Sequence, residues 1–170
     1  FQLQQQVFGG SGYDVACATA KGAIHYARTN PLQPTITPID ISPNYKDRLF
    51  FVHLNQKQDS QKAVAQFDRK RLTPSKLAEI SSLTAAFSTA ESVEGFQELM
   101  RTHEELIGRL LEVIPVQERL VPDYKGAIKS RGAWGGDFVL ACGEATTPAY
   151  FAEKGYKTCL AYDALIYDGS

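Results

Sequence analysis

The stretch GGSGYDVACATAKGAIHYAR, residues 9–28, decides how the start of the chain folds. Its glycines interrupt regular structure, and Ser11 is placed to cap a helix over about residues 13–21. Gly22 ends that helix, and the side chains of residues 23–28 alternate from one side to the other, as they do in a strand. The stretch therefore predicts a glycine turn, a short helix of small residues and a strand.

Downstream of this stretch, the sequence passes from strands to helices and back to strands. Residues 35–40 predict an edge strand, because Pro38 has no N–H to donate to a neighbouring strand. The helix expected from Ser92 carries an apolar stripe of 3.6-residue period, which is typical of a helix packed on a core. Further strands are expected at residues 48–54, 127–130 and 138–142, with a last extended stretch at 157–162 and 164–167. Further helices are expected at 61–71, from Thr73 and from Thr146. This order predicts an α+β fold, a two-layer sandwich of a mostly antiparallel sheet with helices on one face.

The composition indicates an ordinary globular protein. The 170 residues include 44% hydrophobic and 22% charged residues, which is enough to bury the core of one domain. The net charge of −1 gives no support to a nucleic acid or a membrane surface as a partner. The longest apolar runs are too short to cross a bilayer. The charged residues of 101–105 are interpreted as a solvated helix face.

Cysteine and histidine usage predicts neither a disulfide framework nor a metal site. Cys17, Cys142 and Cys159 are widely spaced and form no CxxC pair, and the three histidines lack ligand spacing. A reducing cytoplasm is the expected location. The only methionine is Met100 and the sequence begins with Phe1, so we expect a processed product or a fragment of a longer protein.

The first glycine cluster, GGSGYD at residues 9–14, has the composition of a binding turn. Glycines let a ligand approach the backbone closely, and a helix N-terminus favours an anion. Asp14 falls in the first helical turn, where its carboxylate could take a proton from a bound hydroxyl or hold charge beside a phosphate. The same residues also fit a plain turn in which Asp14 only offsets the helix dipole.

The second glycine cluster, RGAWGGD at residues 131–137, lies between two expected strands. Its three glycines and Trp134 favour a loop pressed against a ligand or against another backbone segment. A bulged hairpin is the alternative. Lys129 and Arg131 come just before the glycines and could meet a phosphate, or could simply be solvated. Neither cluster contains the GxxxxGK[ST] pattern of a P-loop.

Together, the two clusters resemble two motifs of the GHMP small-molecule kinases. Residues 9–28 are similar to the family segment that reads Ser-Gly-x-Asp, then a helix of small residues, then a strand ending in Tyr-Arg. Residues 129–142, KSRGAWGGDFVLAC, are similar to the family's Gly-Ala-Gly-Gly-Gly loop and the buried strand after it. GYDVA at 12–16 most resembles the GYDIA group of these kinases, which is similar to mevalonate and phosphomevalonate kinases. The resemblance covers essentially the whole chain.

The resemblance implies an ATP- and Mg²⁺-dependent kinase of the cytoplasm. Its substrate would be a small alcohol or a phosphorylated alcohol, with a compound of the mevalonate pathway favoured. Asp14 aligns with the family aspartate that contacts, and in some members deprotonates, the substrate hydroxyl. The residues expected to bind substrate are Ser11, Gly12, Tyr13 and Lys129. The loop residues expected near the transferred phosphate are Gly132, Ala133, Gly135 and Gly136.

The resemblance also predicts that the active enzyme needs more than these 170 residues. The family's ATP-binding motif, Pro-x-x-x-Gly-Leu-Gly-Ser-Ser, does not occur in the sequence. We therefore expect residues 1–21 to be the remnant of an N-terminal kinase domain and residues 22–170 to be the C-terminal domain. The chain alone is expected to be inactive, and its expected partners are a small-molecule substrate and the missing N-terminal half.

Trp134 stands where many members of the family have glycine, so the loop is bulkier than theirs. A degenerate kinase, which binds a ligand or regulates another protein without phosphoryl transfer, is therefore the alternative hypothesis. A merely structural domain is a third. The oligomeric state stays open at this point, with a homodimer as one option.

Overall fold

The computed structural model describes residues 11–30, 33–39, 44–56, 67–131 and 137–165. They fall into two compact units that divide between residues 42 and 43. The boundary that we expect between residues 21 and 22 lies inside the first unit.

The first unit holds one helix and one hairpin among its described residues. Helix α1 spans Tyr13–Thr19, and strands β1 (Ile24–Asn30) and β2 (Gln33–Pro38) form a two-stranded antiparallel sheet. Tyr26 of β1 lies opposite Ile36 of β2. Turn, helix and strand therefore follow one another in the order that the sequence predicts, with the helix ending two residues before Lys21.

The second unit is built on a four-stranded antiparallel sheet with the strand order β4-β5-β3-β6. Strand β3 is flanked on both sides, which explains why four of its five residues are buried. The strands are β3 (Leu49–His53), β4 (Ala127–Ser130), β5 (Phe138–Cys142) and β6 (Cys159–Ala161).

Four α-helices belong to the described part of the second unit. Two of them begin at the predicted N-caps. The Thr73 hydroxyl accepts a hydrogen bond from the Lys76 amide at 3.3 Å. The Ser92 hydroxyl accepts one from the Gly95 amide at 3.1 Å. The helices are α2 (Pro74–Phe87), α3 (Val93–Leu111), α4 (Val116–Leu120) and α5 (Thr147–Glu153). Of the helix expected over 61–71, residues 61–66 lie outside the described part and Arg69–Arg71 form a single 3-10 turn.

Apolar side chains are buried on both faces of this sheet, because its strands alternate between two cores. On one face, Met100 of α3 packs with Leu49 and Cys142. On the other face, Phe151 of α5 packs with Val52 and other strand residues. The second core also includes Val116 of α4, together with Phe50, Leu54, Val121, Tyr124, Ile128, Val139 and Ala141.

The predicted α+β class and the antiparallel sheets are confirmed. We also expected the helices to lie on one face of the sheet. Helix α3 packs on one face, whereas α4 and α5 cover the opposite face. The alternation of large apolar side chains on both sides of β3 and β5 makes this arrangement necessary, since either face left open would expose part of the core. Within the described residues, no helix is both long and apolar enough to span a membrane.

Candidate functional site

The turn before α1 brings four of the predicted site residues together: Ser11, Gly12, Tyr13 and Asp14. Gly12 adopts the left-handed conformation, with φ 77° and ψ 3°, which glycine reaches at no steric cost. Its carbonyl oxygen accepts a hydrogen bond from the Ala16 amide at 3.0 Å, so the helix begins directly after the turn. Asp14 consequently lies in the first turn of α1, with its side chain exposed.

Strand β1 holds this turn in place. The Tyr26 hydroxyl donates to the carbonyl of Ser11 at 2.5 Å. The rings of Tyr13 and Tyr26 meet edge to face, with their centroids 5.6 Å apart. These contacts join the glycine turn to the strand that follows it, although Ser11 and Tyr26 are 15 residues apart in sequence.

The predicted capping role of Ser11 is wrong by one residue. Gly12 occupies the N-cap position, and no side chain caps the helix there. The Ser11 hydroxyl instead accepts from the Tyr13 amide at 3.3 Å. The reason is the left-handed turn at Gly12, which places Ser11 one residue before the N-cap. The Ser11 hydroxyl therefore meets the first amide of the helix, whereas an N-cap side chain accepts from the second or third.

Lys129, the remaining predicted substrate-binding residue in the described part, belongs to a polar cluster of the second unit. We name this the Lys129 cluster; it comprises His103, Glu104, Lys129 and Ser130. The Lys129 ammonium lies 3.2 Å from His103 Nδ1 and 3.9 Å from Glu104 Oε1. The Ser130 hydroxyl donates to Glu104 Oε2 at 2.8 Å. Helix α3 and strand β4 supply two residues each.

Burial sets the electrostatics of the Lys129 cluster. Desolvation lowers the pKa of Lys129, and the nearby Glu104 carboxylate partly offsets that effect. Burial raises the pKa of Glu104, against the opposing influence of Lys129. Burial, followed by the charge of Lys129, lowers the pKa of His103 to about 4. His103 is therefore neutral near pH 7, and its Nδ1 can accept a hydrogen bond from the ammonium.

The interpretation of residues 101–105 as a solvated face is wrong for Glu104, which is 3% exposed. A signal for this was present in the sequence. Phe96, Met100 and Glu104 follow one another at four-residue intervals, so all three lie on the helix face that turns toward the sheet. Glu104 is tolerated there because Ser130 and Lys129 face it from β4.

The predicted site residues are divided between the two units. Ser11, Gly12, Tyr13 and Asp14 lie in the first unit, and Lys129 lies in the second. The expected phosphate loop, Gly132, Ala133, Gly135 and Gly136, lies outside the described residues, as does Trp134. Of the flanking residues, Arg131 is exposed, and its guanidinium lies 4.9 Å from the centre of the Phe51 ring, a cation–π contact.

Across the residues that the structure describes, no group of three or more His, Cys, Asp or Glu side chains could hold a metal ion. Comparison with known proteins found no matching family model, curated protein or solved structure.

Proposed function

We propose that this chain is the C-terminal part of a GHMP-type kinase of the cytoplasm. The reaction would transfer a phosphoryl group from ATP to a small alcohol or a phosphorylated alcohol, with a mevalonate-pathway compound favoured. The observation that carries the proposal is the turn at Gly12. Its left-handed backbone sets Asp14 at the start of a small-residue helix, and a strand bearing Tyr26 braces the turn. The motif resemblance requires this combination of a glycine turn, an acid and a following strand.

Asp14 is the proposed base. Its carboxylate is exposed, so a substrate hydroxyl can reach it. It would accept the hydroxyl proton at a carboxylate oxygen as the alcohol oxygen becomes the nucleophile. Ser11, Gly12 and Tyr13 would shape the pocket around that hydroxyl, because their backbone and side chains surround the same turn.

The described residues do not by themselves fit ATP and Mg²⁺. They include no group of three potential metal ligands, and the sequence lacks the family's ATP-binding motif. The proposal therefore assigns the nucleotide and the metal ion mainly to an N-terminal half outside this sequence. It follows that the chain alone should be inactive, since phosphoryl transfer depends on positioning and charge stabilisation.

Lys129 has a restricted part in this proposal. Its side chain is 24% exposed and its ammonium already faces His103 and Glu104. This geometry favours a lysine that fixes the end of β4 against α3. Direct contact of Lys129 with substrate stays a prediction.

ADP release is the test. The full-length parent is assayed with ATP and Mg²⁺ across mevalonate, phosphomevalonate, homoserine and simple sugars, beside the 170-residue chain alone. We expect release by the parent with one of these substrates and none by the chain alone. Asp14→Asn should lower kcat by about a hundredfold or more, because the amide cannot accept the proton. Asp47→Asn, which changes an exposed aspartate of the second unit, is the matched control and should leave kcat unchanged.

Two outcomes would contradict the proposal. Near-wild-type turnover by the full-length Asp14→Asn protein would remove Asp14 from catalysis. A folded parent that binds ATP but releases no ADP with any of these alcohols would favour the degenerate kinase, for which the bulky Trp134 is the sequence evidence.

A further inference from the structure

The end of helix α3 and the beginning of helix α4 enclose a groove on the second unit. Two adjoining cavities form it, of about 230 and 510 Å³, and they share Glu105, Pro115 and Glu118. We call this surface the α3–α4 groove. Its other lining residues are Arg101, Glu104, Gly108, Arg109, Glu112, Val113, Ile114, Gln117, Pro122 and Ile128.

The larger cavity has an apolar wall that faces solvent. Val113 is 44% exposed and Ile114 is 61% exposed. Both follow Glu112, which ends α3 in the left-handed conformation with φ 56°. A non-glycine residue in this conformation is strained, so the backbone bears strain just before two exposed apolar side chains.

Acidic side chains exceed basic ones around the groove. Four glutamates, at 104, 105, 112 and 118, line it against two arginines, at 101 and 109. Three of these glutamates face a basic side chain: Lys129 lies 3.9 Å from Glu104, Arg109 lies 3.6 Å from Glu105, and Arg71 lies 2.7 Å from Glu112. Arg101 lies 3.4 Å from the Gly126 carbonyl oxygen. Glu118, by contrast, makes no ion pair with any residue in the part of the chain described.

The smaller cavity has a buried carboxylate in its wall. Glu104 is 3% exposed, and its Oε1 has no hydrogen-bond donor among the described residues. The nearest cation, Lys129, is 3.9 Å from that oxygen, beyond hydrogen-bonding distance. A buried acceptor without a donor is unfavourable, and Glu104 lines the smaller cavity.

We propose that the α3–α4 groove docks a protein segment in which a basic side chain lies next to a large apolar one. The basic group would enter the smaller cavity beside Glu118 and Glu104. The apolar side chain would cover Val113 and Ile114. A second copy of this chain fits less well, because a two-fold contact would set the same acidic surface against itself.

The probe is a fluorescein-labelled peptide of alternating leucine and arginine, added to the 170-residue chain and followed by fluorescence anisotropy. We expect saturable binding that Glu118→Lys weakens by about tenfold, since it places a like charge beside the arginine. Ile114→Ser should weaken binding by a similar factor. Glu153→Lys, at an exposed glutamate of α5, is the matched control and should bind as the wild type does. Circular dichroism verifies that each variant is folded.

Three results would overturn the proposal. They are no saturable binding at millimolar peptide, equal affinity for Glu118→Lys and wild type, and equal affinity for a peptide whose leucines are all alanine. Sedimentation velocity adds a fourth: a dimer of the chain that Ile114→Ser dissociates would show that the groove's occupant is a second copy.

Discussion

The Gly12 turn and the Lys129 cluster both gather polar side chains, but they differ in what holds them. In the turn, backbone conformation and one tyrosine hydroxyl set the geometry, and Asp14 stays exposed. In the cluster, a buried Glu104 faces a half-buried Lys129, and each shifts the pKa of the other. The first arrangement leaves a carboxylate exposed at the surface. The second commits a carboxylate to the packing of α3 on β4.

The largest expected effect on stability concerns Glu104. Glu104→Ala should lower the free energy of unfolding by about 3 kcal/mol, because it leaves the half-buried Lys129 without its counter-charge. Asp14→Ala should lower it by no more than about 0.5 kcal/mol, since that side chain is exposed. Urea denaturation measures both.

The control for this experiment is Glu105→Ala, on the same helix. The Glu105 side chain is 58% exposed and pairs with Arg109 at 3.6 Å, so its loss should cost about 0.5 kcal/mol or less. Equal destabilisation by Glu104→Ala and Glu105→Ala would show that burial does not distinguish the two carboxylates.

A smaller effect is expected at the turn. Gly12→Ala places a Cβ at φ 77°, which should cost about 1 kcal/mol and displace Asp14. Gly22→Ala is the matched control, because a Cβ there meets no atom within 4 Å and the backbone is not left-handed. It should be neutral or slightly stabilising. Thermal unfolding and ADP release by the parent are the measurements. A Gly12→Ala protein as stable and active as Gly22→Ala would remove the conformational argument for the turn.

The smallest effect is a dependence of stability on pH. The pKa of His103 in the folded protein, about 4, is below the ordinary histidine value of 6.5, so the unfolded chain binds more protons between these values. The contribution of His103 is thus fully present above about pH 6.5 and is lost as the pH falls toward 4. After allowance for solvent screening, the loss is on the order of 1 kcal/mol. The raised pKa of Glu104 acts in the opposite direction, because its protonation on folding favours the native state at lower pH.

His103→Gln isolates this contribution. We expect the free energy of unfolding, measured with denaturant, to change less in the variant than in the wild type between pH 6.5 and 4. Identical slopes in the two proteins would mean that the burial of His103 is not linked to its protonation.

Much of the fold could be predicted from local sequence, because it rests on local rules. The caps at Thr73 and Ser92, the apolar stripe of α3 and the glycine turn are all encoded within a few neighbouring residues. The Lys129 cluster could not be predicted in the same way. Ser130 and Glu104 are 26 residues apart, and only the packing of α3 on β4 decides that they meet.

The same distinction explains the error at Ser11. A serine before a helix is a good cap by its residue type, but the backbone conformation at Gly12 decides which position is the cap. Residue types therefore predicted which residues form the turn, while the φ angle of a single glycine determined their individual roles.

The central position of β3 has a consequence for biosynthesis. Its hydrogen-bonded neighbours are β5, at Phe138–Cys142, and β6, at Cys159–Ala161, which a ribosome produces about ninety residues or more after β3. Until then the apolar segment Leu49–His53 has neither partner, and loop closure over that length makes pairing slow. The nascent chain therefore carries an unpaired, aggregation-prone strand until β5 has been made, and we expect chaperones that bind short apolar segments to recognise it there.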